Sequence, residues 1–317
     1  MDTSKYSTIS FPALGLELDP PRGFQLFGFD IRFYGIIIAV GLLLAVIYGL
    51  KRSKQFGLKE DDILDGVLGI VPLSIICARL YYCAFSWDTF KNDPISILYI
   101  WQGGIAIYGA VIGAVLGVAL LCLIKKLRLG AVLDIMALGF LIGQSVGRWG
   151  NFFNQEAFGG NTTLPWGMSG DIIRSGPNGS GYVYDLPVHP TFLYESLWCA
   201  LGFVLLHLWF KKAYRFKGQI FCGYAVWYGL GRFFIESLRT DSLMTGSMRV
   251  SQLVAVLAVI GGIILFFILR RMAIALPRTL EITPEDDLQL EAYTPDESTD
   301  TQTAADAVKE TEDGTAN

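Results

Sequence analysis

Seven stretches of this chain are apolar over the length of a membrane-spanning helix, about 20 residues. They fall roughly at residues 31–50, 63–84, 103–124, 131–148, 190–210, 218–238 and 250–269. The second and fourth are the least uniform, being interrupted by Arg79 and Gln144. Two of them carry small residues at helical spacing, Gly109, Gly113 and Gly117 in the third and Gly139, Gly143 and Gly147 in the fourth. Such stripes let helices pack closely within a membrane. Between the fourth and fifth runs, residues 149–189 hold Gly159-Gly160, Pro165, Gly167, Gly176-Pro177, Gly179 and Gly181, the turn chemistry of a small extramembrane cap. Residues 1–30 have neither an apolar signal-peptide core nor a small-residue cleavage site.

Charge orients this pattern. Alternate loops hold Lys51, Arg52, Lys54 and Lys59; Lys125, Lys126 and Arg128; Lys211, Lys212, Arg215 and Lys217; then Arg270 and Arg271. The positive-inside rule makes that side cytoplasmic and puts the N-terminus outside. The net charge of −4 conceals this, because residues 277–317 hold twelve acidic residues against Arg278 and Lys309. That tail, with few large apolar residues, is expected to be disordered and cytoplasmic. The expected organisation is an extracytoplasmic segment (1–30), a transmembrane domain (31–270, cap about 149–189) and the tail (271–317). The fold class is an all-α polytopic membrane protein with about seven transmembrane helices. A composition 52% hydrophobic with a mean hydropathy of +0.45 agrees, and excludes a soluble globular domain. The five cysteines all lie in apolar runs and read as small buried hydrophobes. With only His189 and His207 present, no histidine-rich metal centre is expected.

The topology gathers the remaining polar residues on one level. Arg32, Arg79, Arg148, Arg174, Arg232, Arg239 and Arg249 lie outside or near the outer helix ends, together with Tyr34, Tyr108, Asn151, Glu156, His189, Glu195 and Glu236. Snorkelling alone would scatter isolated charges at both ends of the helices. A buried arginine costs roughly 2.5–3.5 kcal/mol on insertion scales, so such a cluster reads as a site. Arg232 and Glu236, four apart, share one helical face. An internal ion pair would explain that spacing, but the pair lies at the same depth as Arg148, which favours a two-arginine anion site braced by carboxylates. Glu195, near the start of the fifth run, would also favour a helix N-terminus. Tyr34 would serve equally as an interfacial anchor.

Gly147-Arg148-Trp149-Gly150-Asn151-Phe152-Phe153-Asn154-Gln155-Glu156 resembles the signature of the bacterial prolipoprotein diacylglyceryl transferases. The resemblance extends from residue 30 to about 270. It runs through Ile31-Arg32-Phe33-Tyr34-Gly35, Ala78-Arg79-Leu80, Trp101-Gln102-Gly103-Gly104, His189-Pro190 with Leu193-Tyr194-Glu195, and Arg232-Phe233-Phe234-Ile235-Glu236. It implies a multi-pass enzyme of the bacterial cytoplasmic membrane that needs no cofactor, no metal and no nucleic acid. Its partners would be phosphatidylglycerol and a prolipoprotein signal peptide with its lipobox cysteine. The thiol would take the diacylglyceryl group as a thioether, and glycerol phosphate would leave.

The resemblance also assigns roles. Arg148 and Arg232 would bind the phosphate and the charge developing on the leaving group. Asn151, Glu156, Glu195 and Glu236 would hold that arrangement, Gly159 would shape the entry under the cap, and Tyr34 would position substrate. Arg79, His189 and Arg239 are second-rank candidates. Tyr108 departs from the pattern, standing where many relatives carry a histidine. A phenol with a pKa near 10 is a poor base for a thiol unless arginines lower it. Two other functions compete, a transporter for an anionic solute and a non-catalytic lipid binder.

Overall fold

An unbroken apolar run has no polar partner but its own backbone, and a helix satisfies every internal N–H and C=O within one segment. The computed structural model describes residues 8–26, 29–100, 103–175, 186–240, 244–245 and 248–275. Within them each of the seven apolar runs contains a long helix. These are α1 (Phe33–Arg52), α2 (Glu60–Phe85), α4 (Ile107–Lys125), α5 (Leu129–Asn154), α7 (Thr191–Ala213), α8 (Gln219–Leu238) and α9 (Val250–Ala275). Two short helices, α3 (Trp87–Phe90) and α6 (Asp171–Ser175), lie in the connections. Trp101, Gln102, residues 176–185 of the expected cap and residues 276–317 of the acidic tail lie outside the described residues, while residues 271–275, expected in the tail, continue α9.

Six of the long helices are apolar enough to cross a membrane, and α8 is not among them. Its 20 residues include Gln219, Tyr224, Tyr228, Arg232 and Glu236. Length and composition thus support six of the seven expected spans and leave α8 to its packing. Packing accounts for the difference, since α8 lies against α5, α7 and α9 and has protein neighbours for its polar residues.

Two boundaries depart from the apolar pattern. The third run was expected to be helical from residue 103, but Gly103 and Gly104 have φ of 87° and 76°, and α4 starts only at Ile107. The fourth was expected to end at 148, yet α5 continues to Asn154 and stops where Gln155 takes a left-handed φ of 51°. The motif from Gly147 to Asn154 is thus the last two turns of a helix. Arg148 and Asn151, three apart, consequently share a face.

The glycine stripes are helix contacts, as expected. A Cβ at Gly113 would lie 2.7 Å from Ser74 Cα, so α4 packs on α2 backbone to backbone. On α5, Gly147, Gly143 and Gly139 face Ile38, Gly41 and Ala45 of α1. The N-terminus of α8 is capped from a distance. Its own N-cap, Gly218, has no side chain, and buried Asp134 of α5 accepts hydrogen bonds from the N–H groups of Gly218 (2.6 Å) and Phe221 (2.8 Å).

The N-terminal segment and the cap are joined. Strand β1 (Ile9–Phe11) pairs with β2 (Leu16–Leu18) on one side and β5 (Ser169–Gly170) on the other. Buried Gln155 fixes this sheet to the end of α5, donating to Thr8 O at 3.1 Å and accepting from Ile172 N at 3.0 Å. A hairpin of β3 (Gly23–Leu26) and β4 (Phe29–Arg32) leads into α1, and β6 (Met244–Thr245) with β7 (Met248–Arg249) joins α8 to α9.

Candidate active site

Glu195, near the start of α7, is 4% exposed and touches two arginines from two other helices. Its Oε2 lies 2.5 Å from Arg148 Nε of α5, and its Oε1 accepts a hydrogen bond of 2.8 Å from Arg232 Nη1 of α8. Arg232 Nη2 in turn lies 2.7 Å from Glu236 Oε2, and Arg239 Nε lies 4.0 Å from the same oxygen. The Arg232 contact is not aligned as a hydrogen bond, which leaves Oε2 of this 1% exposed carboxylate without a hydrogen-bond donor. Among the described residues the chain of charges reads Arg148, Glu195, Arg232, Glu236, Arg239, with both carboxylates buried and the arginines partly so. Charges so enclosed are held by mutual pairing, because each alone would cost several kcal/mol of lost hydration (about 3–5 kcal/mol when a partner is removed).

The chain continues along the last turn of α5. Arg148 Nη1 donates to Asn151 Oδ1 at 3.4 Å, and the amides of Asn151 and Asn154 both donate to Glu156 Oε1, at 2.9 and 3.2 Å. Glu156 is exposed, so its carboxylate is fixed in direction while remaining open to solvent.

Arg148 and Asn151 also form part of a cavity wall. A space of about 750 Å³ lies between α1, α2, α4 and α5. Tyr34, Arg148 and Asn151 line one end, Leu58 and Asp62 the other, and the walls between are mostly aliphatic. From Val132 to Arg148, both lining residues, α5 rises about 24 Å. Tyr34 is fitted against Gly150, where a Cβ would lie 2.7 Å from its ring. Arg232 is not a lining residue and reaches the cavity only through Glu195 and Arg148.

The other expected residues divide. Gly159 lies in a strap where its N–H donates to His189 O at 2.9 Å and that of Gly160 donates to Leu238 O at 2.8 Å. A Cβ at Gly159 would lie 2.8 Å from both His189 Cβ and Leu238 O, so the strap ties the entry to α7 to the end of α8. His189 Nδ1 is 3.3 Å from Tyr194 OH, and burial holds its pKa below the ordinary value, favouring the neutral imidazole. Arg79 is placed apart from this cluster. Its guanidinium donates to the carbonyls of Ile97, Gly103, Gly104, Ser96 and Tyr99 and lies over the Phe90 ring. Tyr108, expected among the catalytic groups, is not brought to the arginines. It is 52% exposed with its ring near Tyr81, while Ile107 and Ala110 beside it face the cavity. The first turn of α4 simply points residue 108 the other way.

Three contributors were given no role from the sequence, although Asn154 stands in the signature motif and Arg249 on the outer polar level. Tyr228, one turn before Arg232 on α8, lies in the electrostatic field of Arg148, Glu195 and Arg232 and stacks on Tyr224 at 5.6 Å. Its spacing from Arg232 was the available signal. Asn154 helps hold Glu156, and Arg249 Nη1 donates to the Glu236 carbonyl across the hairpin between α8 and α9.

A sequence profile for prolipoprotein diacylglyceryl transferase matches residues 21–268. The chain belongs to that family. Relatives named phosphatidylglycerol–prolipoprotein diacylglyceryl transferase agree. One from Clostridioides difficile is 42% identical over 241 residues, covering 76% of this chain and 92% of the relative. One from Limosilactobacillus reuteri is 43% identical over 254 residues (79% and 91%), and one from Halalkalibacterium halodurans 40% over 258 residues (81% and 89%). The matched region of this diacylglyceryl transferase family member contains every long helix up to α9 and both ends of the Arg148–Arg239 charge chain.

Proposed function

We propose that this multi-pass membrane enzyme transfers the diacylglyceryl group of phosphatidylglycerol to the lipobox cysteine of a prolipoprotein, the first step of lipoprotein maturation. The observation that carries the site assignment is Arg148. It stands at the polar end of a long apolar cavity and is tied through Glu195 to a second arginine. A phosphodiester with acyl tails has the same polarity, an anion at one end and hydrocarbon below. A depth of about 24 Å exceeds half of a roughly 30 Å hydrocarbon core, enough for tails from one leaflet.

In this mechanism the cysteine sulfur attacks the terminal glyceryl carbon of the diacylglycerol. The carbon–oxygen bond to phosphate breaks, and its electron pair stays on that oxygen. The phosphodiester monoanion becomes a monoester dianion, so negative charge grows where Arg148 stands. Arg232 supports that arginine through Glu195 and adds its own field. Asn151 and Glu156 orient Arg148, and Tyr34 closes the cavity end. The charges of Arg148, Glu195 and Arg232 act on Tyr228, one turn before Arg232, which makes its hydroxyl the phenol to test for a part in the thiol's loss of its proton. The basic loops support a topology with the N-terminus outside and the arginine level at the outer face of the cytoplasmic membrane, where exported prolipoproteins arrive.

The test is release of glycerol phosphate in proteoliposomes of phosphatidylglycerol with a lipobox peptide. Release matching thioether formation is expected. Lipid binding without release would make the protein a binder, and solute flux without peptide modification a transporter.

A further inference from the structure

Glu195 serves both arginines only while α7 keeps one depth against α5 and α8. Rise along a helix is 1.5 Å per residue, so a slip of a single residue would carry its carboxylate beyond hydrogen-bond reach of Arg232. Two reciprocal contacts, within three residues of Glu195 on the same helix, oppose that slip. Toward α5, Ser196 Oγ donates to Ser145 O at 2.8 Å and Ser145 Oγ donates back to Ser196 O at 2.9 Å. Toward α8, Trp198 Nε1 donates to Trp227 O and Trp227 Nε1 donates to Trp198 O, each at 3.0 Å. The two indoles stack 4.3 Å apart at 16°.

Each tryptophan also occupies a notch made by a glycine four residues after the other. A Cβ at Gly231 would overlap Trp198 Nε1, and a Cβ at Gly202 would overlap Trp227 Nε1. The motif Trp-x-x-x-Gly is thus present in both helices and each copy closes on the other. Ordinary packing of two large side chains would leave the helices free to slide, whereas paired donors and paired notches fit at one register only.

We propose that Trp198 and Trp227 are positioning residues, setting the depth of α7 against α8 so that Glu195 stays bridged between Arg148 and Arg232. The proposal rests on the arginine pair being the phosphate site. Neither indole lines the cavity that ends at Arg148, so they act through Glu195.

The experiment uses the full chain in mixed micelles of phosphatidylglycerol with a lipobox peptide. It measures glycerol phosphate release against lipid concentration, alongside melting curves. Gly231→Ala is expected to lower kcat per folded molecule about 10- to 100-fold, the cost of an ångström-scale misplacement, while the lipid KM changes less than about twofold and the melting midpoint falls without loss of the folded state at the assay temperature. Combining it with Trp198→Phe makes room for the new methyl and is expected to recover at least about 3-fold in kcat. Wild-type kcat in Gly231→Ala, a change confined to KM, a loss that follows the unfolded fraction, or no recovery in the combination would each overturn the proposal. If Gly231→Ala does not fold, Trp198→Phe and Trp227→Phe decide, because they keep an aromatic stack and remove only the N–H donor. A fall of about 5-fold in kcat at unchanged KM is expected for each, and wild-type kcat in both overturns the proposal. Arg148→Ala separates the two levels of inference. If it retains full activity the phosphate site is wrong, whereas an inactive Arg148→Ala beside a fully active Gly231→Ala refutes only the register.

Discussion

Arg79 and Arg148 are both arginines of apolar helices, and the protein treats them in opposite ways. Arg79 is 6% exposed and spends its guanidinium on five backbone carbonyls of residues 96–104. Those contacts shape the loop before α4, and they leave the cation no face toward a ligand. Arg148 is paired with a carboxylate and an amide, both of them side chains, and it lies on a cavity wall. A carbonyl dipole neutralises nothing, so Arg79 remains a structural charge fixed by geometry. A carboxylate can be exchanged for another anion, so the Arg148 pairing is of a kind that a phosphate could enter. Burial of an arginine therefore does not by itself mark a site; the nature of its partners does.

The largest effect expected from this contrast is on chemistry. Arg148→Ala should lower kcat by about 10²–10³, the usual cost of removing a donor aimed at developing charge. Its melting midpoint should fall less than that of a Glu195 variant, because Glu195 keeps Arg232, and the loss of turnover should exceed what the folded fraction explains. Arg79→Lys should show the reverse. Lysine retains the charge but cannot fork to five carbonyls, and leaving several unsatisfied should cost about 3 kcal/mol of stability. Activity per folded molecule, from glycerol phosphate release normalised to folded fraction, should fall less than about 10-fold. Loss of turnover without loss of stability in Arg79→Lys would move that residue into the site and erase the distinction.

A smaller effect should follow at Gly104, which serves Arg79 from the loop side. Its φ is 76°, and a Cβ there would lie 2.6 Å from Arg79 Nη1. Gly104→Ala should therefore destabilise by about 1–3 kcal/mol through strain and displacement together. Combined with Arg79→Lys it should cost less than the two separate losses, since both disturb one contact. Additive losses in thermal melts would show that the glycine is needed for its backbone alone.

The sequence made the helices legible because lipid-facing runs need a long apolar stretch, and all seven runs contain one. It made the arginine level legible through alternating loop charge. What it could not convey was which way a side chain turns at a helix start. Tyr108 and Ile107 are neighbours in the chain, yet Ile107 faces the cavity and Tyr108 is turned away from it. The extension of α5 through Asn154 was hidden because polar residues interrupt the apolar signal where the helix is still paired with protein. Tyr228 and the Trp198–Trp227 clasp were hidden for a related reason. Aromatic residues in a spanning helix satisfy the same hydropathy pattern whether they meet lipid or each other.

The smallest effect expected is at Tyr108, and it bears most directly on which phenol serves the reaction. With half its surface exposed and its ring near Tyr81, it has no described contact with Arg148, Glu195 or Arg232. Tyr108→Phe should change kcat less than about twofold, as exposed substitutions away from a site usually do, and Tyr108→His should likewise retain activity. Tyr228→Phe removes a hydroxyl from the field of both arginines and should lower kcat by about 10-fold or more. The pair is best compared as pH profiles of kcat/KM, which report groups titrating in the free enzyme. If Tyr108→Phe alters the profile and Tyr228→Phe does not, the outer end of α4 must approach the arginines when substrate binds, and the proton route passes through that helix instead of α8.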